Sequence, residues 1–277
     1  MDNSIIEKSP AKINLFLKIL NRREDNYHNI RTGITTIDLF DEILVQPSNQ
    51  FNIEYKGKFA PENNKFDDCI IKNLFSFLKI PLPNISFSIT KNFPYQAGLG
   101  SASSNAATAI KILENLEIIE RKNIFEYVDF GSDIPFFLNQ HDSLVRGKGD
   151  LISNIIYPKY FFLIIKPNFN CSTKKMYETF IPADFDYNIE EDIEEINDND
   201  NGNDFEKVLK KIEPDFNSIY NKMDNLDDTI FTRLTGSGSC IYSVFENKQS
   251  AENAKNSFLK LYPDLWAAVA ENNNIKL

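Results

Sequence analysis

An α+β architecture in two domains is the fold class this sequence predicts, on three observations. At 277 residues the chain exceeds the length of most single-core domains. Apolar alternation at period two and apolar spacing at three and four both recur, but without the regular strand–helix–strand succession of a parallel sheet. Two glycine-bearing turns, near residues 94–104 and 235–240, interrupt otherwise apolar patterns. The division is placed at 1–153 and 154–277, with no internal repeat.

Taken in order, residues 9–20 alternate as a strand, with Ile13, Leu15, Leu17 and Ile19 on one face and Lys12, Asn14, Phe16 and Lys18 on the other. Residues 21–29 are polar and turn-like. Strands are expected at 33–44 and 50–55, and a helix over 67–78 carries Ile70, Ile71, Leu74, Phe75 and Leu78 until Pro81 and Pro83 stop it. Residues 85–90 alternate as a strand that feeds the first glycine turn. The helix after that turn is expected to begin near Ser103 or Ser104, with Ala106, Ala107, Ile110, Ile112 and Leu113 along it. A short helix is predicted near 123–128, after which 130–137 breaks the pattern. Strands follow at 143–146 and 160–166, the second nearly all apolar and so expected to be buried. Helical spacing then covers 205–212 and 216–223. A strand–loop–strand spans 233–245, with Gly236 and Gly238 at its bend, and a helix over 251–261 and a strand over 265–270 close the chain.

Composition excludes several function classes. A net charge of −10 argues against a general nucleic-acid or anionic-membrane surface, since both recruit phosphates with a basic patch. Residues 184–206 contain eleven acidic side chains and no basic one, which leaves the rest of the chain near neutrality. Such a stretch reads as a solvated loop or the exposed face of a short helix, and no chemistry is assigned to it. Cys69, Cys171 and Cys240 are odd in number and far apart, without zinc spacing, so neither a disulfide framework nor a metal site is expected. No apolar run is long enough to span a bilayer. Residues 1–10 hold Asp2, Glu7 and Lys8 and lack the apolar centre of a signal peptide. A cytoplasmic protein is expected.

The most informative stretch is Pro94, Tyr95, Gln96, Ala97, Gly98, Leu99, Gly100, Ser101, Ala102, Ser103 and Ser104. Gly98 and Gly100 let the backbone turn at positive φ and approach a ligand closely. The helix that follows directs unpaired N–H groups, with a partial positive charge, at whatever lies in the loop. A phosphate-rich ligand fits these residues, and so does an ordinary serine-capped helix after a turn. Phosphoryl transfer to an alcohol needs a cradle for the donor phosphates, a cation against developing charge and an acceptor for the hydroxyl proton. Lys12 on the first strand is a candidate cation, or an ordinary solvent-facing lysine. Asp133, between Gly131-Ser and Ile134-Pro135, is a candidate base, or a helix cap or turn former. Gly236-Ser-Gly238 alone reads as a plain hairpin loop.

Three segments together resemble the GHMP kinase superfamily: Pro10-Ala-Lys-Ile-Asn-Leu15, Pro94-Tyr-Gln-Ala-Gly-Leu-Gly-Ser-Ala-Ser-Ser104 and Leu234-Thr-Gly-Ser-Gly-Ser-Cys240. Ala11-Lys-Ile-Asn-Leu-Phe-Leu17, Asn26-Tyr-His28 and Gly131-Ser-Asp-Ile-Pro-Phe-Phe137 are similar to its branch acting on a cytidine-diphosphate-linked methylerythritol. The resemblance implies a two-domain kinase whose N-terminal half is like a ribosomal-protein domain and whose C-terminal half is an α+β sandwich. It implies transfer of the ATP γ-phosphate, with Mg2+, to the 2-hydroxyl of that polyol in the non-mevalonate route to isoprenoid precursors. By position, Asp133 would be the base, Lys12 its charged neighbour, and residues 94–104 the wrap around the ATP phosphates. Asn14 would touch the reacting end, Tyr27 would stack on the cytosine, His28 would bond its edge, and Tyr177 would cover the other face. Ser104 is the one candidate toward the metal.

Two departures stand out: Asn26 replaces a glycine, where asparagine keeps the left-handed turn, and Gln96, Ala97, Ser101 and Ala102 occupy places the family fills with glycine. A homoserine or mevalonate kinase is the rival enzyme, against which Asn26-Tyr-His28 speaks. A non-catalytic nucleic-acid-binding relative is the rival outside catalysis, against which the net charge and the Lys12/Asp133 pair speak. The expected partners are therefore ATP and the cytidine-diphosphate-linked polyol, with no nucleic acid and no membrane.

Overall fold

Two strands of unusual length carry the architecture in the computed structural model, which describes residues 4–62, 69–180 and 202–272. They are β1 (Ile5–Arg22) and β2 (His28–Pro47), which pair with each other. Both exceed their predicted ranges, and the turn-like stretch narrows to 23–27 because the polar residues flanking it stay in the ladder. Contacts divide the chain discontinuously into two compact units, 1–11 with 39–95 and 100–140, and 12–38 with 96–99 and 141–277. The predicted division at 153/154 is a division of the sequence, whereas each long strand contributes to both units.

In the first unit, β4 (Ile85–Thr90) pairs antiparallel with the end of β2, Glu42 opposite Thr90 and Pro47 opposite Ile85. β3 (Asn52–Lys56) lies parallel to β4. Helix α1 (Ile70–Leu78) buries Ile71, Leu74 and Phe75, the apolar face its spacing predicts. It ends on Lys79 in the left-handed conformation (φ 57°), which ties its amide back to the last turn. Helix α2 (Ser101–Asn115) buries Ala106, Ala107, Ala109, Ile110, Ile112 and Leu113. It begins two or three residues before the predicted start, because Gly100 at φ 74° takes the cap position and admits Ser101 to the first turn. A 3₁₀ turn at Ile124–Tyr127 is closed by a reciprocal Asn123–Glu126 capping box.

The predicted break at 130–137 is instead a short helix, α3 (Ile134–Asn139). Pro135 does not prevent it, because it sits in the first turn, where its missing N–H removes no intrahelical bond.

In the second unit, the start of β2 pairs with β5 (Ser143–Gly147), and β5 with β6 (Leu151–Asn154), a strand the sequence pattern did not signal. A second sheet runs β10-β7-β9-β8, all antiparallel neighbours, from β7 (Phe161–Lys166), β8 (Phe231–Leu234), β9 (Ile241–Phe245) and β10 (Trp266–Glu271). Among the described residues, four helices belong to this unit: α4 (Thr173–Thr179), α5 (Phe205–Ile212), α6 (Pro214–Asp224) and α7 (Lys248–Leu261). Its core gathers Leu163, Ile165, Phe205, Leu209, Phe216, Met223, Ile241, Phe245 and Phe258. The expectation that β7 is buried holds, with Phe162 to Ile165 fully enclosed.

Most of the acidic stretch at 184–206 lies outside the described residues. Within them, Asp204 and Glu206 are buried rather than solvated. Asp204 accepts from the amide of Ile19 (2.7 Å), and Glu206 accepts from that of Leu234 (2.8 Å). All three cysteines are free.

Candidate active site

Lys12 is not a solvent-facing strand residue. Both faces of β1 are enclosed from Ala11 to Leu17, and Lys12 and Asn14 are each only 3% exposed. A buried ammonium needs partners, and Lys12 Nζ donates to Asn14 Oδ1. Asn14 Nδ2 in turn donates to Thr32 Oγ1 on β2 (2.8 Å), and Asn14 N donates to Thr235 Oγ1 (3.1 Å). The asparagine is thus held on both sides, which presents its carbonyl oxygen to the lysine.

The β8–β9 connection, residues 235–240, packs against this pair. Gly236 sits at φ 54°, and a Cβ there would lie 3.0 Å from Lys12 Nζ and 3.4 Å from Asn14 Oδ1. Residues 97–99 complete the interlock. Lys12 N donates to Leu99 O (3.0 Å), Cys240 N to Ala97 O (3.0 Å) and Thr235 Oγ1 to Gly98 O (3.1 Å). Gly98, at φ 78°, has its Hα side so close to Thr235 that a Cβ would fall 2.1 Å from that carbonyl oxygen. Parts of the three segments that carried the family resemblance, 12–14, 97–99 and 235–240, thus meet in one unit, and 235–240 is more than a hairpin loop. Asn203, at the entry to α5, fastens the same connection by donating to Leu234 O (2.9 Å) and Gly236 O (2.7 Å).

Residues 100–104 and Asp133 belong to the other unit. Ser104 N donates to Gly100 O (2.9 Å), the first bond of α2, so the amides of Ser101, Ala102 and Ser103 precede it and keep the donor character of a helix start. Pro94 and Ala97 are buried, Tyr95 is 42% exposed, and Gln96 is exposed with φ 53°, a left-handed position that a side chain tolerates at some cost. Ser104 is fully buried, its hydroxyl bonded to Ser9 Oγ (2.8 Å).

Asp133 occupies the cap position of α3, but its side chain makes no capping bond. Gly131, two residues before it, lies close under Ile134, where a Cβ would fall 3.0 Å from Cδ1, with Ser103 Oγ on α2 at 3.6 Å.

Asn26 adopts φ 67°, as predicted for the residue replacing glycine. The turn it makes is set by Asp25, which accepts from Tyr27 N (3.1 Å) and pairs with Arg23, whose guanidinium holds the Asp25 carboxyl below the usual range. Tyr27 is half exposed, with Lys148 Nζ 5.2 Å from its ring centre. His28 stacks on Tyr177 at 4.9 Å and 15°. Burial, with Arg22 adding to it, lowers the His28 pKa, so its imidazole is neutral near pH 7 and offers one donor and one acceptor. Tyr177 meets His28 rather than standing alone, and its edge packs on Phe205.

Two features escaped the sequence. Lys148 lies in a turn between Gly147 (φ 68°) and Gly149 (φ 113°), a doubled-glycine signal that could have marked it. The other is a fully buried cluster beneath α2: Lys91 donates to Asp41 and Ser101, and to Asn105 Oδ1 at 3.0 Å. Burial pulls the Lys91 ammonium down while Asp41 opposes it. Among the described residues no group of three His, Cys, Asp or Glu side chains could hold a metal ion, and no helix is long and apolar enough to cross a membrane.

Residues 68–139 match the model of the GHMP kinases N-terminal domain, and residues 186–264 match that of the GHMP kinases C-terminal domain, which defines the class. The 4-diphosphocytidyl-2-C-methyl-D-erythritol kinase of Syntrophus aciditrophicus is 32% identical, over 94% of this chain and 95% of its own. That of Francisella philomiragia is 34% identical over 85% of each. A crystal structure of 4-(cytidine 5'-diphospho)-2C-methyl-D-erythritol kinase shares the fold at a TM-score of 0.78, covering 97% of this chain and 100% of that one at 24% identity. This chain belongs to the 4-diphosphocytidyl-2-C-methyl-D-erythritol kinase family.

Proposed function

We propose that the protein transfers the γ-phosphate of ATP to the 2-hydroxyl of 4-diphosphocytidyl-2-C-methyl-D-erythritol, a step toward isoprenoid precursors. The observation that carries this reading is the buried Lys12, held by Asn14 under the Gly236 turn in a chain of this family. A lysine fixed in this way supplies positive charge without reorganising during reaction, which is what a transferring phosphoryl group requires. Residues 94–104 receive the ATP phosphates, with the amides of Ser101, Ala102 and Ser103 as donors. Magnesium accompanies ATP as part of the substrate, because the triphosphate itself supplies hard oxygen ligands.

Asp133 accepts the proton of the attacking hydroxyl, and Lys12 keeps negative charge on the reacting oxygens favourable. Asn14 orients the reacting end. Tyr27 and Tyr177 supply stacking surface for the cytosine, each stacked base–aromatic contact being worth roughly 1–3 kcal/mol. Neutral His28 bonds its edge. In this reading 1–153 is the ATP-binding half of the sequence and 154–277 the C-terminal half, and the protein works in the cytoplasm. ATP consumption measured with diphosphocytidyl methylerythritol, homoserine and mevalonate at equal ATP tests the assignment. Turnover confined to the cytidyl substrate is expected, and faster turnover of either other alcohol overturns it.

A further inference from the structure

Beneath the start of α2 lies a cluster of charged and polar side chains that the proposed chemistry does not use. Asp41, on β2, is fully buried and Lys91, just after β4, is 2% exposed; the two form an ion pair. Asp41 also accepts from the amide of Asn92 (2.9 Å), from Ser101 Oγ (3.2 Å) and from Asn105 Nδ2 (3.2 Å). Asn105 Nδ2 reaches Ser9 Oγ on β1 (2.8 Å), and Ser9 meets Ser104 Oγ. Every bond from this cluster into α2 ends on Ser101, Ser104 or Asn105, the first turn and the residue after it.

A buried ion pair is a poor source of stability, because an apolar pair of the same volume would serve the fold as well or better. What it supplies here is placement and charge balance. A carboxylate under a helix start would favour the positive end of the helix itself and repel an arriving anion. Lys91 cancels that charge and, through Ser101, fixes where the first turn begins.

We infer that Asp41 and Lys91 are positioning residues for the phosphates of ATP: they set the start of α2 and keep it free of negative charge. This rests on residues 94–104 being the phosphate loop. Lys91→Met strands the Asp41 carboxylate, Lys91→Arg keeps the pair, and the double variant Lys91→Met with Asp41→Leu removes both charges and the tether.

The test is steady-state kinetics of these variants, with KM for ATP and for the cytidyl substrate measured separately from kcat. Lys91→Met is expected to raise the ATP KM about tenfold, the loss typical of a missing charge-assisted contact, with kcat and the other KM nearly unchanged. The double variant is expected to raise the ATP KM about threefold, since the stranded charge is gone. The arginine variant is expected to stay nearer wild type than either. A wild-type ATP KM in Lys91→Met or in the double variant overturns the inference, as does an equal loss in kcat alone, which a merely structural pair would give. If Lys91→Met does not fold, the double variant decides by the same criterion. Failure of the wild type to consume ATP would instead overturn the phosphate-loop reading beneath it.

Discussion

Asp133 stands where a helix cap belongs and does not cap. The first turn of α3 carries Pro135, which has no N–H to be capped there. On the proposed reaction, replacing the carboxylate by an isosteric amide removes the proton acceptor with little change of shape. Asp133→Asn is therefore expected to lower kcat by about 10²–10⁴-fold, the range of general-base catalysis, with KM for the cytidyl substrate unchanged. Single-turnover kinetics at saturating ATP check it, and near-wild-type turnover would remove Asp133 from the base role. Residue by residue, the chain was most readable where backbone geometry restricts choice. Asn26, standing where the resembling family has glycine, could be assigned its left-handed turn because asparagine tolerates that geometry. Lys12 could not be distinguished from a surface lysine by spacing, because β1 is enclosed on both faces and alternation carries no information there.

At the scale of elements, glycine marks where one segment lies hard against another. Gly98 and Gly236 both have positive φ, but what faces them differs. A Cβ on Gly98 meets the Thr235 carbonyl at 2.1 Å, a backbone atom that cannot yield without moving the β8–β9 connection, whereas a Cβ on Gly236 first meets the end of the Lys12 side chain, at 3.0 Å, and the Gly98 carbonyl only at 3.2 Å. Gly98→Ala is expected to cost about 2 kcal/mol or more in stability, from left-handed strain plus displaced backbone. Gly236→Ala is expected to act mainly on turnover, by shifting Lys12, with about 1 kcal/mol lost. Urea unfolding read beside kcat separates the two, and matching stability losses would show that the Lys12 contact does not yield. The strongly periodic elements, α1, β4, α7 and the β8–β9 pair, were legible because period and breaker agreed. α3 was not, since a proline signals a helix start as readily as a stop. The Asp41–Lys91–Ser101 cluster was illegible for another reason: its members lie 50 and 10 residues apart in sequence, and only β-pairing brings them together.

For the whole molecule, charge and burial pull in opposite directions at the acidic end of 184–206. Glu206 sits at the first turn of α5, enclosed, with Leu234 N as donor and Arg233 and Lys210 nearby. Desolvation outweighs these partners and raises its pKa from 4.5 to about 7. Between those two values the native state therefore binds more protons than the unfolded chain. The contribution to stability is largest at acid pH and falls as pH rises from 4.5, levelling off above about 7. His28 works in the other direction, since its lowered pKa makes the unfolded chain the better proton acceptor below 6.5. A wild-type curve alone mixes the two signs, and the comparison with Glu206→Gln isolates one of them. That variant keeps an acceptor for Leu234 N but cannot ionise. Relative to it, the wild type is expected to lose roughly 1–3 kcal/mol between pH 5 and pH 8, or about 2–4 °C in Tm for each kcal/mol in a chain of this size. Thermal unfolding of both proteins across that range measures the difference directly. Parallel Tm curves would mean that Glu206 carries the same charge at pH 5 and pH 8, and that its burial is compensated by the partners around it.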